Sequence, residues 1–90
     1  NNTLNYRVSF TNLTSNATGA HIHGPATRTQ NAGVLIGFSG VPGATSGTFS
    51  GSAALSAQNL FYLLNGLTYV NIHSANHGGG EIRGQVEPAY

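Results

Sequence analysis

The sequence predicts an all-β fold, a small antiparallel β-sandwich or barrel with one short helix. Three observations predict it. Several runs alternate apolar and polar residues, turns containing Gly or Pro separate these runs, and a single segment has helical spacing. With 90 residues, the chain is expected to form a single domain over residues 1–90 with a modest core.

The first predicted strand has the clearest alternation of apolar and polar residues. Its apolar residues alternate with polar ones, as in a half-buried strand that turns one face to the core. They are Leu4, Tyr6, Val8 and Phe10. We expect this face to pack, in one core, against apolar residues of the later strands. These are Ile22, Ile36, Val70 and Ile72.

Three more strands are predicted before residue 56. A turn is expected over Thr14–Gly19, followed by a short strand over Ala20–His23. That strand should end at Gly24-Pro25, because proline cannot donate to a β-ladder. The next two strands are expected over residues 33–38 and 45–55, with a turn between them that contains proline.

A helix is predicted near residues 56–65. Ser56 is a typical N-cap residue, apolar residues follow it at helical spacing, and Asn65-Gly66 suits a left-handed C-cap. Alternation returns at Tyr69–His73 and again at Glu81–Val86, which predicts the last two strands. Short antiparallel strands with one connecting helix are typical of a small sandwich or barrel.

The composition narrows the classes of function. Charged residues make up 6% of the chain, against about 25% in an ordinary soluble domain. The net charge of +1 and three scattered arginines give no electrostatic footprint for nucleic acid, so no such partner is expected. No apolar run is long enough to span a membrane. The chain has no cysteine and therefore forms no disulfide.

The four histidines fall into two clusters and predict a metal site. His21 and His23 flank Ile22 on a predicted strand, so both point to the face opposite to Ile22. His73 ends a later strand, and His77 adjoins a glycine run. An imidazole-only site suits copper, zinc or nickel, and copper binds most tightly of the divalent ions. We expect copper, with zinc second, at His21, His23 and His73, and His77 is a candidate fourth ligand. The alternative is four polar surface histidines.

Three Asn-x-Ser/Thr sequons lie in the first eighteen residues, at Asn1, Asn12 and Asn16. Such sequons arise by chance in a segment rich in Asn and Thr, but they are also the acceptors of N-linked glycans in secreted proteins. Glycans here would supply the hydration that the missing charges do not. We therefore expect a secreted glycoprotein in its mature form.

Three blocks of the sequence resemble a known family. They are Ala20–Ala26 (AHIHGPA), Leu67–Ser74 (LTYVNIHS) and Gly80–Gln85 (GEIRGQ). Their order and separation resemble the CHRD domain, which is named from chordin and is widespread in microbial secreted proteins. The resemblance covers essentially the whole chain. In chordin-like proteins this domain sits among growth-factor-binding modules, which implies an extracellular binding module.

The histidine pattern is also similar to the copper half of Cu,Zn superoxide dismutases. The shared features are an HxH pair on a strand, a distant single His and a Gly-Gly-x-x-Arg-like run. The resemblance implies that His21, His23 and His73 hold copper and that Arg83 attracts the superoxide anion. The zinc half is not implied, because its ligand set uses an Asp and this chain has none. The implied enzyme is a copper-only superoxide dismutase.

Arg83 has a second interpretation, which is a surface ion pair with Glu81 or Glu87 worth about 0–1 kcal/mol. We also expect Asn71 or Gln85 to accept the remaining N–H of a ligand histidine, as the partners of metal-bound histidines usually do.

Three classes of function follow from these features. The first is a copper-binding protein that acts on small anions such as superoxide. The second is an extracellular adhesion or growth-factor-binding module. The third is a structural subunit of an extracellular polymer or filament, since the surface has little charge and the first strand could pair with the edge of another copy. A homo-oligomeric subunit could also carry metal.

Overall fold

The computed structural model describes residues 2–87, which form two antiparallel sheets and one helix. The first sheet pairs β1 (Asn2–Phe10) with β4 (Gly47–Leu55). The second sheet contains, in spatial order, β3 (Val34–Gly37), β2 (Ala17–His23), β5 (Thr68–Ser74) and β6 (Ile82–Val86). The predicted all-β sandwich is therefore confirmed.

The helix α1 (Ala57–Leu64) connects the two sheets and begins and ends where the sequence predicts. The Ser56 hydroxyl accepts a hydrogen bond from the Asn59 N–H at 3.0 Å, which caps the first turn. Gly66 follows the helix with φ of +69°, a left-handed conformation that favours glycine. Within residues 2–87, no helix is long and apolar enough to cross a membrane.

Strand β2 differs from its prediction, because it begins at Ala17 rather than Ala20. The expected turn over Thr14–Gly19 is therefore wrong in its second half. Ala17 and Gly19 pair with β5, and the register shifts between them. Such a bulge interrupts the period of two, which hides the start of the strand from pattern analysis.

The core lies between the sheets and centres on the end of β1. Its buried residues come from both sheets and from the loop after β1. They are Phe10, Leu13, Ala17, Ala20, Phe49 and Ile72. Tyr6 and Val8 are only partly buried, and Ile22 and Ile36 are buried outside this cluster. The expectation of one core along the whole of β1 is therefore too broad, because a two-stranded sheet covers only part of a four-stranded one.

Candidate metal centre

The register of β2 and β5 decides which side chains share a face. Ile22 pairs with Val70 and faces the other sheet, whereas His21 pairs with Asn71 and His23 pairs with Tyr69 on the outer face. His73 pairs with Gly19 and lies on the same outer face. Strand alternation, which the sequence already shows, therefore brings these polar side chains to one surface.

The three histidines of this face converge. Their ligand nitrogens all lie within 4.8 Å of one another. Two nitrogens on opposite sides of a metal, each at about 2.1 Å, are about 4.2 Å apart. The observed spacing therefore fits one ion after small side-chain adjustments. The ring centroids are 4.9 Å apart for His21 and His73 and 6.0 Å apart for His23 and His73.

His23 has one nitrogen engaged and one left over. Its Nδ1 lies 3.0 Å from the Ala32 carbonyl oxygen, and a carbonyl can only accept, so Nδ1 carries the proton. Nε2 is then a lone-pair acceptor. It is buried and has no hydrogen-bond partner among the described residues. A buried nitrogen left unpartnered is costly in a packed protein, and a metal ion would satisfy it.

His73 and His21 form a pair. His73 Nδ1 donates to the Gly78 carbonyl oxygen at 3.0 Å, which leaves Nε2 as the acceptor. That Nε2 lies 3.0 Å from Nδ1 of His21, which therefore donates to it. A metal bound here would replace this N–H···N hydrogen bond.

The pKa of His21 is lowered from its ordinary value of 6.5. Burial is the main cause, and the neighbouring His73 and His23 add to it, because a charged imidazolium is disfavoured by both. A lowered pKa keeps His21 neutral at physiological pH. Neutral imidazole is the form that binds metal, so protons compete less for this ligand.

Tyr69 fixes the position of His23 from the neighbouring strand. The two rings are stacked, with centroids 5.0 Å apart and planes 8° from parallel. The Tyr69 hydroxyl donates to the Ala32 carbonyl oxygen at 3.1 Å and accepts from the Ala32 N–H at 3.0 Å. Since His23 donates to the same carbonyl, Tyr69 and His23 are both held by one peptide group of the loop over residues 24–33.

Gly24 lets this loop approach the sheet. A Cβ at Gly24 would lie 2.6 Å from the Leu67 carbonyl oxygen, closer than real contacts allow. Ala26 N–H donates to the same oxygen at 2.8 Å. The His-Gly-Pro-Ala motif therefore combines a candidate ligand, His23, with the turn that carries the loop back over it.

Arg83 lies on the other side of Tyr69 in strand order. Its guanidinium carbon is 3.6 Å from the centre of the Tyr69 ring. It also donates to Asn31 Oδ1 at 3.0 Å and to the Thr27 carbonyl oxygen at 2.7 Å. All three contacts are with neutral groups of the loop and β5.

The alternative interpretation of Arg83, an ion pair with Glu81 or Glu87, is wrong. Glu87 pairs instead with Arg28. Glu81 accepts from the Ser74 hydroxyl at 2.6 Å and from Thr14, and the bond from Ser74 is the main cause of its lowered pKa. Neither carboxylate is bonded to the charge of Arg83.

The other predicted site residues do not act as the sequence predicts. His77 is exposed in the tight turn after β5, where its backbone bonds with Ser74, and it is not among the three converging histidines. Asn71 and Gln85 do not accept from the ligand histidines, since two backbone carbonyls do so instead. That part of the prediction is wrong, and side-chain patterns cannot reveal backbone acceptors.

The described sequon asparagines are accessible. Asn12 and Asn16 are both exposed, and Asn12 has φ of 60°. The hydroxyl of Thr14, the third residue of the first of these sequons, donates to Glu81 at 2.9 Å. Asn1 lies outside the described residues. Glycan attachment at all three positions stays a prediction.

The chain matches the model of a known family. The CHRD domain model matches residues 1–86, nearly the full length of the chain. Searches of curated proteins and of solved structures return no match. The likeness of the histidine pattern to Cu,Zn superoxide dismutases is not confirmed by these comparisons and stays a prediction.

Proposed function

We propose that this chain, which belongs to the CHRD domain family, binds one copper ion through His21, His23 and His73 and uses it for one-electron chemistry on a small anion, superoxide. The observation that carries the proposal is the convergence of the three imidazoles within 4.8 Å, with a buried and unpartnered Nε2 on His23 among the described residues.

Copper is favoured over other ions by the donor set. The cluster offers nitrogen donors, and the sequence contains no Cys or Asp. Imidazole donors suit copper, which heads the divalent affinity order, and zinc follows. When bound, such a copper ion supplies reversible transfer of one electron between its two oxidation states. The chain's own part is to hold His23 and His73 in the correct tautomers through Ala32 and Gly78.

Arg83 is proposed to attract the anion. Its charge is not neutralised by Glu81 or Glu87, and its neutral partners hold the guanidinium against Tyr69, whose other neighbour in strand order is His23. A fixed and uncompensated positive charge raises the local concentration of small anions. Arg83 is thus the candidate catalytic residue, and His77 is left without a role at the metal.

The proposed setting is extracellular. CHRD domains occur in secreted proteins, and two exposed sequon asparagines, Asn12 and Asn16, are available for glycans. Glycans would compensate for a surface on which few residues are charged. Mass spectrometry of protein secreted from a glycosylating host, before and after glycosidase treatment, would test occupancy.

The copper proposal is tested with protein made without a histidine tag. One copper per chain is expected by elemental analysis, with imidazole nitrogen couplings in the electron paramagnetic resonance (EPR) spectrum. His23→Ala should weaken copper binding by more than about 10–100-fold, which is the loss typical when only the hydrogen-bond partner of a metal ligand is removed. His77→Ala is the matched control and should leave affinity unchanged. Equal losses of copper affinity in the two variants would contradict the assignment of His23 as a ligand. Superoxide removal no faster than with free copper would contradict the proposed enzyme activity.

A second candidate function, a structural subunit of a polymer, is favoured by the two-stranded sheet. Among the described residues, the outer edges of β1 and β4, each nine residues long, pair with no further strand. Arg7 is the one charged residue in the two strands. Long edges with little charge are templates for pairing with another chain. Sedimentation at increasing concentration, with and without copper, tests for assembly. A monomer at all concentrations would contradict it.

A further inference from the structure

Asn71 lies on the same outer face as the three converging histidines. It pairs with His21 on one side and with Arg83 on the other. His23 pairs with Tyr69, and His73 lies four residues after Tyr69, which is about 13 Å along a strand. Yet the rings of His23 and His73 have centroids only 6.0 Å apart. Both side chains therefore lean toward each other, over the row that holds His21 and Asn71.

The carboxamide of Asn71 is enclosed but unused. Its Oδ1 is buried and has no hydrogen-bond partner among the described residues. Gly80 covers it from the turn after β5, and a Cβ at Gly80 would lie 2.1 Å from this oxygen. Gly80 has φ of +121°, so the turn needs glycine for its backbone as well. A buried acceptor on the same face as a candidate metal site indicates a hydrogen-bond partner that binds together with the metal.

We infer that Asn71 Oδ1 accepts a hydrogen bond from water in the open coordination position of the copper site, which makes Asn71 a positioning residue for the small ligand that exchanges there. The inference rests on the proposed copper function. Water at such a position has two donor hydrogens, and protein acceptors that hold it decide how readily another ligand displaces it.

Gln85 is the natural comparison. Its Oε1 is also buried and unpartnered among the described residues, but Gln85 pairs with Tyr69, which separates it from His23. Its Nε2 is tied to the Ala26 and Gly66 carbonyl oxygens at 2.9 Å and 2.7 Å. Gln85 therefore has an unpartnered acceptor on the same sheet face, but Tyr69 separates it from the histidine cluster.

The experiment measures azide binding to the Cu(II)-loaded chain by visible absorption. Azide displaces water but has no hydrogen to donate to Asn71. In Asn71→Leu the water loses its acceptor, so azide should bind about three- to tenfold tighter, while copper affinity changes less than about threefold. In Asn71→Asp, which keeps the size of the side chain, azide should bind more weakly, because a carboxylate holds the water more firmly and repels the anion. Gln85→Leu should leave azide affinity unchanged.

The outcomes separate this inference from the copper proposal. A wild type without imidazole nitrogen couplings would overturn both. Couplings in the wild type, with azide affinity unchanged or weaker in Asn71→Leu, would overturn the role of Asn71 alone. A loss of copper affinity beyond about tenfold in Asn71→Leu would also overturn it, because Asn71 would then be a direct ligand rather than a holder of water. If Asn71→Leu does not fold, Asn71→Ala also removes the acceptor, and the same tighter binding of azide is expected there; unchanged or weaker binding in Asn71→Ala would overturn the role of Asn71.

Discussion

The two faces of the β2–β5 pair are both largely covered, but by different means. On the inner face Ala20 and Ile72 are 1% and 3% exposed, because the β1–β4 sheet packs on them. On the outer face Tyr69 and His23 are 2% and 9% exposed, although no second sheet covers them within residues 2–87. The loop over residues 24–33 covers this side through bonds to Tyr69, His23 and Arg83.

The polar atoms show what the difference means. Among the described residues, four buried side-chain nitrogen or oxygen atoms lack a hydrogen-bond partner, and three of these belong to outer-face residues. They are His23 Nε2, Asn71 Oδ1 and Gln85 Oε1. The inner face is thus organised for stability, and the outer face keeps unsatisfied groups that suit a bound ion. Substitutions on the two faces should accordingly change different properties.

The largest effect is expected on the inner face. Phe10→Ala should lower the free energy of unfolding by about 3–5 kcal/mol, because it opens a cavity in the core around Phe49. Urea unfolding measures this loss. Copper affinity of the folded fraction should not change. Ile82→Ala, at a residue 41% exposed, is the control and should cost less than about 1 kcal/mol. A loss below about 1 kcal/mol for Phe10→Ala would place that residue outside the core.

An intermediate effect is expected at Tyr69, on the outer face. Tyr69→Phe keeps the stacked ring but removes the hydroxyl that bonds both the N–H and the carbonyl of Ala32. We expect a loss of about 1–2 kcal/mol in unfolding free energy together with weaker copper binding, since His23 shares that carbonyl. Calorimetry with and without copper measures both. Tyr62→Phe on α1 is the matched control. A stability loss with unchanged copper affinity would show that Ala32 is held without Tyr69.

A smaller effect on stability, and a distinct effect on rate, is expected at Arg83. Arg83→Ala should slow superoxide removal by up to about tenfold at low salt and weaken its dependence on ionic strength, because screening acts over about 8–10 Å. Arg83→Lys should keep most of the salt dependence. Arg28→Ala, which removes a charge already paired with Glu87, is the control. Identical salt dependence in Arg83→Ala and wild type would assign Arg83 to loop anchoring through Asn31 and Thr27 alone.

The smallest expected effect is a dependence of stability on pH, which arises from His21 on the outer face. The pKa of His21 is lower in the folded protein than its ordinary value of 6.5, so between these values the unfolded chain binds a proton that the folded chain does not. Above pH 6.5 His21 is neutral in both the folded and the unfolded chain and does not lower stability. As the pH falls from 6.5 through the lower pKa of the folded state, the copper-free protein loses stability. Unfolding midpoints at several pH values, in the presence of chelator, measure this slope. His21→Gln should flatten it, and an unchanged slope would assign the dependence to other groups.

The sequence could predict the histidine cluster because it depends on local alternation. In a strand, residues two apart share a face, so His21 and His23 are aligned by the backbone alone. Pairing between β2 and β5 adds His73, and strand order between distant segments is harder to read. The Ala32 and Gly78 carbonyls, which orient His23 and His73, carry no side-chain signal at all. The same limit explains why the sequence suggests carboxylates as the alternative partners of Arg83, and not Tyr69 and a loop carbonyl.

The use of main-chain oxygens to orient His23 and His73 has a consequence for mutational tolerance. Every amino acid has a main-chain carbonyl, so residues 32 and 78 can be substituted while the imidazoles keep their protonation pattern. Constraint falls instead on the path of the chain, at Gly24 and Gly80, where an added methyl group would collide with its neighbours. A saturation library selected for copper retention should therefore tolerate many residues at Ala32 and Gly78 and accept only glycine at Gly24 and Gly80.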